Sequence, residues 1–252
     1  MNHTIKAEIY KLLHTKSCYI PLLIFMVVGT TFPVLVDLMF KAIFTDFSVF
    51  SVSSANLVFR SFPMMMMLIL ATISPAVGEY NNKVNHLTLA ESPRRVNLVF
   101  AKLIASVVVV SGTALLTYYL WLLVAAIYGG VIMDYEIGFN NENMIAVPIM
   151  FALSSILYVM IGQGFAHLTR SFPMTFILVS LMMLKISFVV SAMLSIERFA
   201  KFTFARNIGN VWDIGSMSEM TVADAYLPLA ICVTWAVAIF GAGLISYGKR
   251  NA

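Results

Sequence analysis

Charged side chains are scarce in this 252-residue chain: Asp, Glu, Lys and Arg make up 11% of it, and hydrophobic residues make up 60%. A soluble domain carries roughly a quarter charged residues, so this deficit indicates that lipid is the solvent. Five stretches lack Asp, Glu, Lys, Arg and His, and each has at least about the 18 residues that a membrane-crossing helix needs. Lipid offers the backbone no hydrogen-bond partner, so these stretches must be helices. They are 17–36, 61–78, 103–133, 143–166 and 225–248, and a sixth, 171–196, is interrupted only by Lys185.

Signatures of catalysis are lacking too. The sequence contains no Gly-x-x-x-x-Gly-Lys-Ser/Thr phosphate loop. Its histidines, His3, His14, His86 and His167, are scattered, and none has a Cys, His or Glu neighbour at the spacing of metal ligands. The acids lie in loops or at span ends, which disfavours intramembrane proteolysis. We therefore expect no enzyme, and no cofactor or metal bound by this chain.

The basic residues predict the orientation, because cytoplasmic loops carry the excess of Lys and Arg. With the N-terminus inside, ten of the sixteen fall on the cytoplasmic side and five outside. The net charge of +4 is then explained by loops facing anionic lipid, and no nucleic-acid partner is needed. The expected fold is an all-α polytopic membrane protein, one domain over 1–252, with six transmembrane helices, both termini inside and short amphipathic surface helices.

Three segments outside the spans have patterns of their own. Residues 1–16 predict an amphipathic helix, with Ile5, Ile9, Leu12 and Leu13 on one face, although a plain basic tail would also fix orientation. Residues 79–95 form a polar cytoplasmic segment, in which 81–91 would either dock on a soluble partner or lie on the membrane. Ser92-Pro93 is a helix start, so the third span begins in the cytoplasm and Lys102 marks its headgroup zone. Residues 197–224, outside, mix aromatic and charged residues, as expected of a segment lying in the membrane interface.

A few residues are candidates for the translocation path. Lys185 is the one ionisable residue inside a predicted span, and it either lines the path or snorkels to the outer headgroups. Gln163 offers a hydrogen bond between helices, and Met64 and Met67 belong to a run of flexible methionines that would suit greasy substrates or ordinary packing. The glycine pairs in Gly-Gln-Gly 162–164 and Gly-Ala-Gly 241–243 predict close helix packing.

A pattern of charged and polar residues runs through the first part of the chain. It consists of Glu8 and Lys11 near the N-terminus, Glu79, the segment 81–91, and Ser-Pro-Arg-Arg at 92–95 followed by Lys102. In this pattern and in its length the chain resembles the membrane subunits of bacterial ABC type-2 exporters, and it looks most like the lantibiotic-immunity branch. The resemblance implies six helices in each of two permease subunits, the second being a copy or a homologue. It also implies two separate cytoplasmic ABC ATPase subunits that hold the Mg-ATP.

The resemblance further implies that 81–91 is the main coupling helix to the ATPases and that 167–171 is a lesser contact. The substrate would be amphipathic and membrane-borne, such as an antimicrobial peptide or a drug, and the location would be the bacterial cytoplasmic membrane. The residues expected to couple to the ATPases are Glu8, Lys11, Glu79, Asn82, His86, Leu87, Leu89, Arg94, Arg95 and Arg170. Two alternatives stay open: an ion-coupled secondary transporter or channel, and a membrane scaffold for another complex.

Overall fold

The computed structural model describes residues 2–43, 66–71, 73, 76–77, 95–128, 145, 147–183, 201–214 and 222–250. These residues are helical apart from short turns, and no strand occurs among them. The helices are α1 (Asn2–His14), α2 (Lys16–Ile43), α3 (Arg95–Ile127), α4 (Val147–Thr169), α5 (Phe172–Met183), α6 (Phe204–Ile214) and α7 (Val222–Arg250).

Three of these helices contain stretches long and apolar enough to cross a membrane: Asn97–Ile127, Val147–Thr169 and Tyr226–Gly248. A fourth is obtained if His3–His14 and Lys16–Phe32 are taken as one span, although they are bent by 67°. The chain is therefore an all-helical protein with three to four candidate membrane spans among its described residues, as expected of a membrane protein.

Helix α4 is the centre of the packing. It contacts α3 and α7 most extensively and also touches α5 and α6, while α1 and α2 pack against α3. Large apolar side chains of α3 and α4 are fully buried between the helices, among them Tyr118, Trp121 and Phe151. By contrast, α2 and α7 present many large apolar side chains at the surface, which suits helices that face lipid on one side.

Helices α4 and α7 approach each other backbone to backbone. A Cβ atom placed on Gly243 would lie 2.6 Å from the Gly164 carbonyl oxygen, and one placed on Gly164 would lie 2.8 Å from backbone atoms of Ile239. No side chain fits such a gap, so only glycine permits this approach. The close packing predicted from the two glycine motifs is confirmed at Gly164 and Gly243.

Several hydroxyl side chains of α3 and α4 bond to their own helix. Thr117 donates to the Thr113 carbonyl at 2.7 Å, and Ser154 and Ser155 donate to the carbonyls four residues before them, both at 2.8 Å. Such back-bonding satisfies a hydroxyl in an apolar setting. These polar residues therefore need no partner on another helix.

Helix α6 lies within the predicted interfacial segment 197–224. Its buried side carries Phe204, Ile208 and Val211, while Arg206 is exposed. Asn207 is buried and its Nδ2 donates to the carbonyls of Lys201 and Thr203, at 2.9 and 2.8 Å, fixing the turn before the helix. This part of the segment is thus an amphipathic helix, packed on α7 with further contacts to α4 and α5.

The connection between α4 and α5 is a two-residue turn. Arg170 has a φ of 54°, the left-handed region that follows many helix ends and favours glycine. The Arg170 N–H donates to the Ala166 carbonyl at 2.9 Å, and the Thr175 N–H donates to the Ser171 carbonyl at 2.9 Å. The turn is therefore well bonded, yet it holds one residue in a strained conformation.

Replacing Arg170 by glycine should stabilise this turn. The left-handed conformation costs an L-residue about 1–2 kcal/mol, which glycine does not pay, whereas Arg170→Ala keeps that cost and removes the guanidinium. We expect Arg170→Gly to unfold at a higher temperature than Arg170→Ala, measured on the purified chain in detergent micelles. Equal unfolding temperatures for the two variants would contradict the assigned backbone conformation.

Candidate functional site

A small polar cavity lies where α1 crosses the ends of α3 and α4. Side chains of four segments line it, and most of them are polar although the surrounding helices are apolar. Polar groups gathered inside an apolar bundle are costly to bury, so such a cluster is the default place to look for function. We call it the polar cavity; its lining residues are Glu8, Lys11 and Leu12 of α1, Ala76 of the short helical segment 76–77, Lys102 and Ser106 of α3, and Gln163 and His167 of α4.

Gln163 joins α4 to α3 inside this cavity. Its Nε2 donates to the Ser106 Oγ at 2.6 Å and, at 3.4 Å, to the Lys102 carbonyl. The side chain is 2% exposed, and its Oε1 has no hydrogen-bond partner among the described residues. The interhelical hydrogen bond expected of Gln163 is therefore confirmed, and one acceptor remains available to a ligand or a water.

The charges of the cavity balance only in part. Glu8 and Lys102 are each 8% exposed, Lys11 is half buried, and His167 is buried beside them. Among the described residues that line the cavity, Glu8 supplies the one carboxylate, facing two ammonium groups. A buried charge is tolerated only with compensation, so Glu8 is the residue on which the electrostatic balance of the site depends.

The free space in the cavity is about 20 Å³. That is room for about one water molecule, which occupies a cavity when polar partners surround it. A bound peptide or drug does not fit in this space. The cavity is therefore a joint between helices rather than a substrate pocket.

Helix α7 packs against one residue of the cavity, His167. The ring of Tyr247 meets His167 edge to face, with centroids 5.4 Å apart and an interplanar angle of 65°. Tyr247 is 2% exposed. The glycine crossing of α4 and α7 at Gly164 lies one residue from Gln163 along α4.

A single residue joins α1 to α2. Thr15 ends the first helix by donating from its N–H to the Leu12 carbonyl at 3.3 Å and from its Oγ1 to the Lys11 carbonyl at 2.6 Å. Its own carbonyl accepts from the N–H groups of Cys18 and Tyr19, which begins the next helix. Thr15 is thus the corner of the 67° bend, and α1 is a separate arm attached to α2.

The amphipathic helix predicted for residues 1–16 is present, but its buried face differs from the expected one. Leu12 is buried and Ile5 and Ile9 are half buried, whereas Leu13 is 53% exposed. Glu8 is on the buried face instead of Leu13, because positions 5, 8, 9 and 12 share one side of a helix. The arm therefore packs on the bundle through a carboxylate as well as through apolar side chains.

Residues assigned separately in the sequence meet in this cavity. Glu8 and Lys11 were expected to couple to an ATPase and Gln163 to line a path, yet the structure brings all three together. Lys102, expected at the lipid headgroups, is instead buried. Of the other predicted residues, Met67 packs against the hydrophobic core.

The sequence reasoning missed Ser106 and the burial of Lys102 and His167 in the cavity. A signal was present: Lys102 and Ser106 are four residues apart, as are Gln163 and His167, so each pair lies on one helix face. Polar pairs with this spacing at the same end of two apolar helices would have identified the cavity.

Other predicted residues lie elsewhere. Arg170 is half buried in the turn between α4 and α5, and Arg95 is the first residue of α3. Outside the described residues lie Glu79, Asn82, His86, Leu87, Leu89, Arg94, Met64 and Lys185.

Comparisons of this chain with protein-family models, with curated protein sequences and with solved structures give no match.

Proposed function

We propose that this chain is the permease subunit of an ATP-driven ABC exporter in the bacterial cytoplasmic membrane. In this proposal six helices span the bilayer, both termini are cytoplasmic, and two ABC ATPase subunits bind below a pair of permeases. The substrate is amphipathic and membrane-borne, such as an antimicrobial peptide or a drug. The fold of three to four apolar spans with an N-terminal arm supports this architecture.

The observation that carries the proposal is the attachment of α1. This helix bears basic residues and ends at a corner, and its buried Glu8 lines the polar cavity together with Lys102 and Gln163. Lys102 and Gln163 belong to two different candidate spans, α3 and α4. A force applied to α1 from the cytoplasm would therefore reach both helices at once through one joint.

The energy in this scheme comes from the partner. A conformational change requires a ligand that binds the two states with different affinity, and Mg-ATP on the ATPase subunits supplies it. The work of this chain is to receive that motion through α1, through 81–91 and through the turn at Arg170. Rigid, closely packed helices such as α4 and α7 pass it on.

Replacing His86, Leu87 and Leu89 by Asp should abolish binding of the ATPase. The apolar anchors of a docking helix bury surface on the partner, and three new carboxylates there are neither buried nor paired. We expect the tagged chain, extracted gently from native membranes, to retain a stoichiometric soluble phosphate-loop protein identified by mass spectrometry. The triple variant should lose it.

The matched control places three new carboxylates on the side predicted to be extracellular, at Asn140, Asn141 and Asn143, each changed to Asp. This variant should retain the ATPase at the level of the unmodified chain. Unchanged co-purification by the 86/87/89 variant would remove the docking role of 81–91. Intact preparations without any ATPase would overturn the exporter proposal itself.

A second candidate function is supported by the same cavity. Glu8, Lys102 and His167 are ionisable groups gathered inside an apolar bundle, which is a feature of ion-coupled secondary transporters. Transport that continues in vesicles free of ATP and follows an imposed proton gradient would favour this candidate. Transport that stops without ATP favours the exporter.

A further inference from the structure

A groove lies open on the surface where the turn before α6 meets α7. Its volume is about 420 Å³, within the range of roughly 300–1,000 Å³ of small-molecule sites. Its floor is one face of α7, where small residues four apart leave space beside the helix. The lining residues are Phe202, Ala230, Ile231, Thr234, Trp235 and Ala238.

The wall of the groove is held in place by hydrogen bonds. Trp235 donates from Nε1 to the Phe202 carbonyl at 2.9 Å, which ties α7 to the turn. On the other side of the turn, Asn207 holds the carbonyls of Lys201 and Thr203. The groove is therefore preformed, so no free energy is lost in ordering it when a ligand binds.

The polar groups of the lining have already donated their hydrogens. Thr234 donates from Oγ1 to the Ala230 carbonyl at 2.7 Å, and Trp235 donates to Phe202. The other lining side chains are apolar. The part of a ligand that enters the groove must therefore be hydrocarbon.

Two basic residues lie close in sequence to Phe202, which lines the groove. Lys201 directly precedes Phe202, and Arg206 lies in the first turn of the helix that follows; both side chains are exposed. Phe202 itself is 61% exposed, next to Lys201. A ligand that enters with an apolar tail would therefore meet positive charge at its other end.

We propose that this groove binds one acyl chain of an anionic phospholipid, whose phosphate contacts Lys201 and Arg206. The site is separate from the proposed export function and does not depend on it. Tryptophan and amphipathic helices with basic exposed residues are typical of the membrane interface, where headgroups and acyl chains are both at hand. A lipid is the occupant that matches both the hydrocarbon groove and these two basic residues.

The test uses the full chain in lipid nanodiscs and the fluorescence of Trp235. Brominated acyl chains quench a tryptophan that they touch, and the difference between the unmodified chain and Trp235→Phe isolates the signal of this residue. Brominated phosphatidylglycerol should compete for the site better than brominated phosphatidylcholine, by about five-fold for each basic residue that meets the phosphate. Equal quenching by both lipids would overturn the charged part of the proposal.

Two pairs of variants distinguish binding of the lipid headgroup from binding of the acyl chain. Lys201→Gln with Arg206→Gln should remove the preference for phosphatidylglycerol, whereas Lys6→Gln with Lys16→Gln, exposed on α1 and α2, should keep it. Ala238→Leu should reduce quenching by both lipids because it fills the groove, and Ala242→Leu, one turn further along α7, should not.

Other occupants would give other results. Full quenching in Ala238→Leu would place the acyl chain outside the groove. Protection of Trp235 from both lipids, together with disulfide cross-linking of two copies through Thr234→Cys, would assign the groove to a second copy of this chain. Protection that appears only when an amphipathic peptide is added would assign it to a transported substrate.

Discussion

Gly243→Ala should destabilise this protein more than its one added methyl group suggests. The new Cβ would lie 2.6 Å from the Gly164 carbonyl oxygen and 3.0 Å from its Cα, both of them backbone atoms. Neither atom moves without shifting a whole helix, so we expect a loss of about 1–3 kcal/mol, the cost of inserting an extra methylene into a well-packed core. Gly164→Ala should have a similar effect, because it meets the backbone of Ile239. Equilibrium unfolding by a denaturing detergent measures both changes.

The control is two residues away on the same helix. A Cβ placed on Gly241 meets no atom within 4 Å, and alanine is a better helix former than glycine by about 1 kcal/mol. Gly241→Ala should therefore be neutral or stabilising. If Gly241→Ala and Gly243→Ala have equal unfolding free energies, α4 and α7 do not pack through these glycines.

Glu8→Gln should loosen α1 from the bundle. The change removes the carboxylate from a cavity that still contains the buried ammonium of Lys102 and the half-buried Lys11. Removing one partner from buried opposite charges typically costs about 3–5 kcal/mol. Because Lys11 is only half buried, we expect a loss at the lower end of this range. The variant should also be cleaved within α1 by protease faster than the unmodified chain.

A second substitution tests whether this loss is electrostatic. Lys102→Met removes one ammonium, and in the Glu8→Gln chain it should restore part of the stability, with a coupling free energy of about 1–3 kcal/mol. Lys6→Met, at an exposed position of α1, should change stability by less than about 0.5 kcal/mol. Strict additivity of Glu8→Gln and Lys102→Met would mean that the two charges do not interact.

The helices and their closest contact were predictable from local patterns. Uncharged stretches identified α3, α4 and α7, because length and hydropathy are properties of one segment. Gly164 and Gly243 were identified because glycines at short spacing can be recognised directly in the sequence. Helix α3 also includes Arg95 and Lys102, ahead of the apolar stretch that starts at 103; its predicted start at Ser92 and Pro93 lies outside the described residues.

The polar cavity was not predictable in the same way. It depends on the rotation of three helices relative to one another, which sequence spacing within each helix does not determine. Lys102 next to an apolar stretch has the same pattern whether it reaches headgroups or turns inward towards Glu8. Leu13 and Glu8 likewise differ in burial because α1 rests on α3, and a helical wheel drawn for a lipid surface places the apolar residue inward.

The hydroxyl groups that bond to their own helices affect how many hydrogen-bond donors a solute would find between these helices. Four hydroxyl groups each donate a hydrogen bond to a backbone carbonyl of the same helix: those of Thr113, Thr117, Ser154 and Ser155. An anion or a sugar beside these four residues would lose its hydration and meet hydroxyl oxygens that accept hydrogen bonds but whose hydrogens are already bonded to a carbonyl. Desolvation without new donors costs several kcal/mol for each polar group, so a hydrophilic solute is disfavoured beside these four residues. A molecule that keeps its polar end among the headgroups avoids that cost.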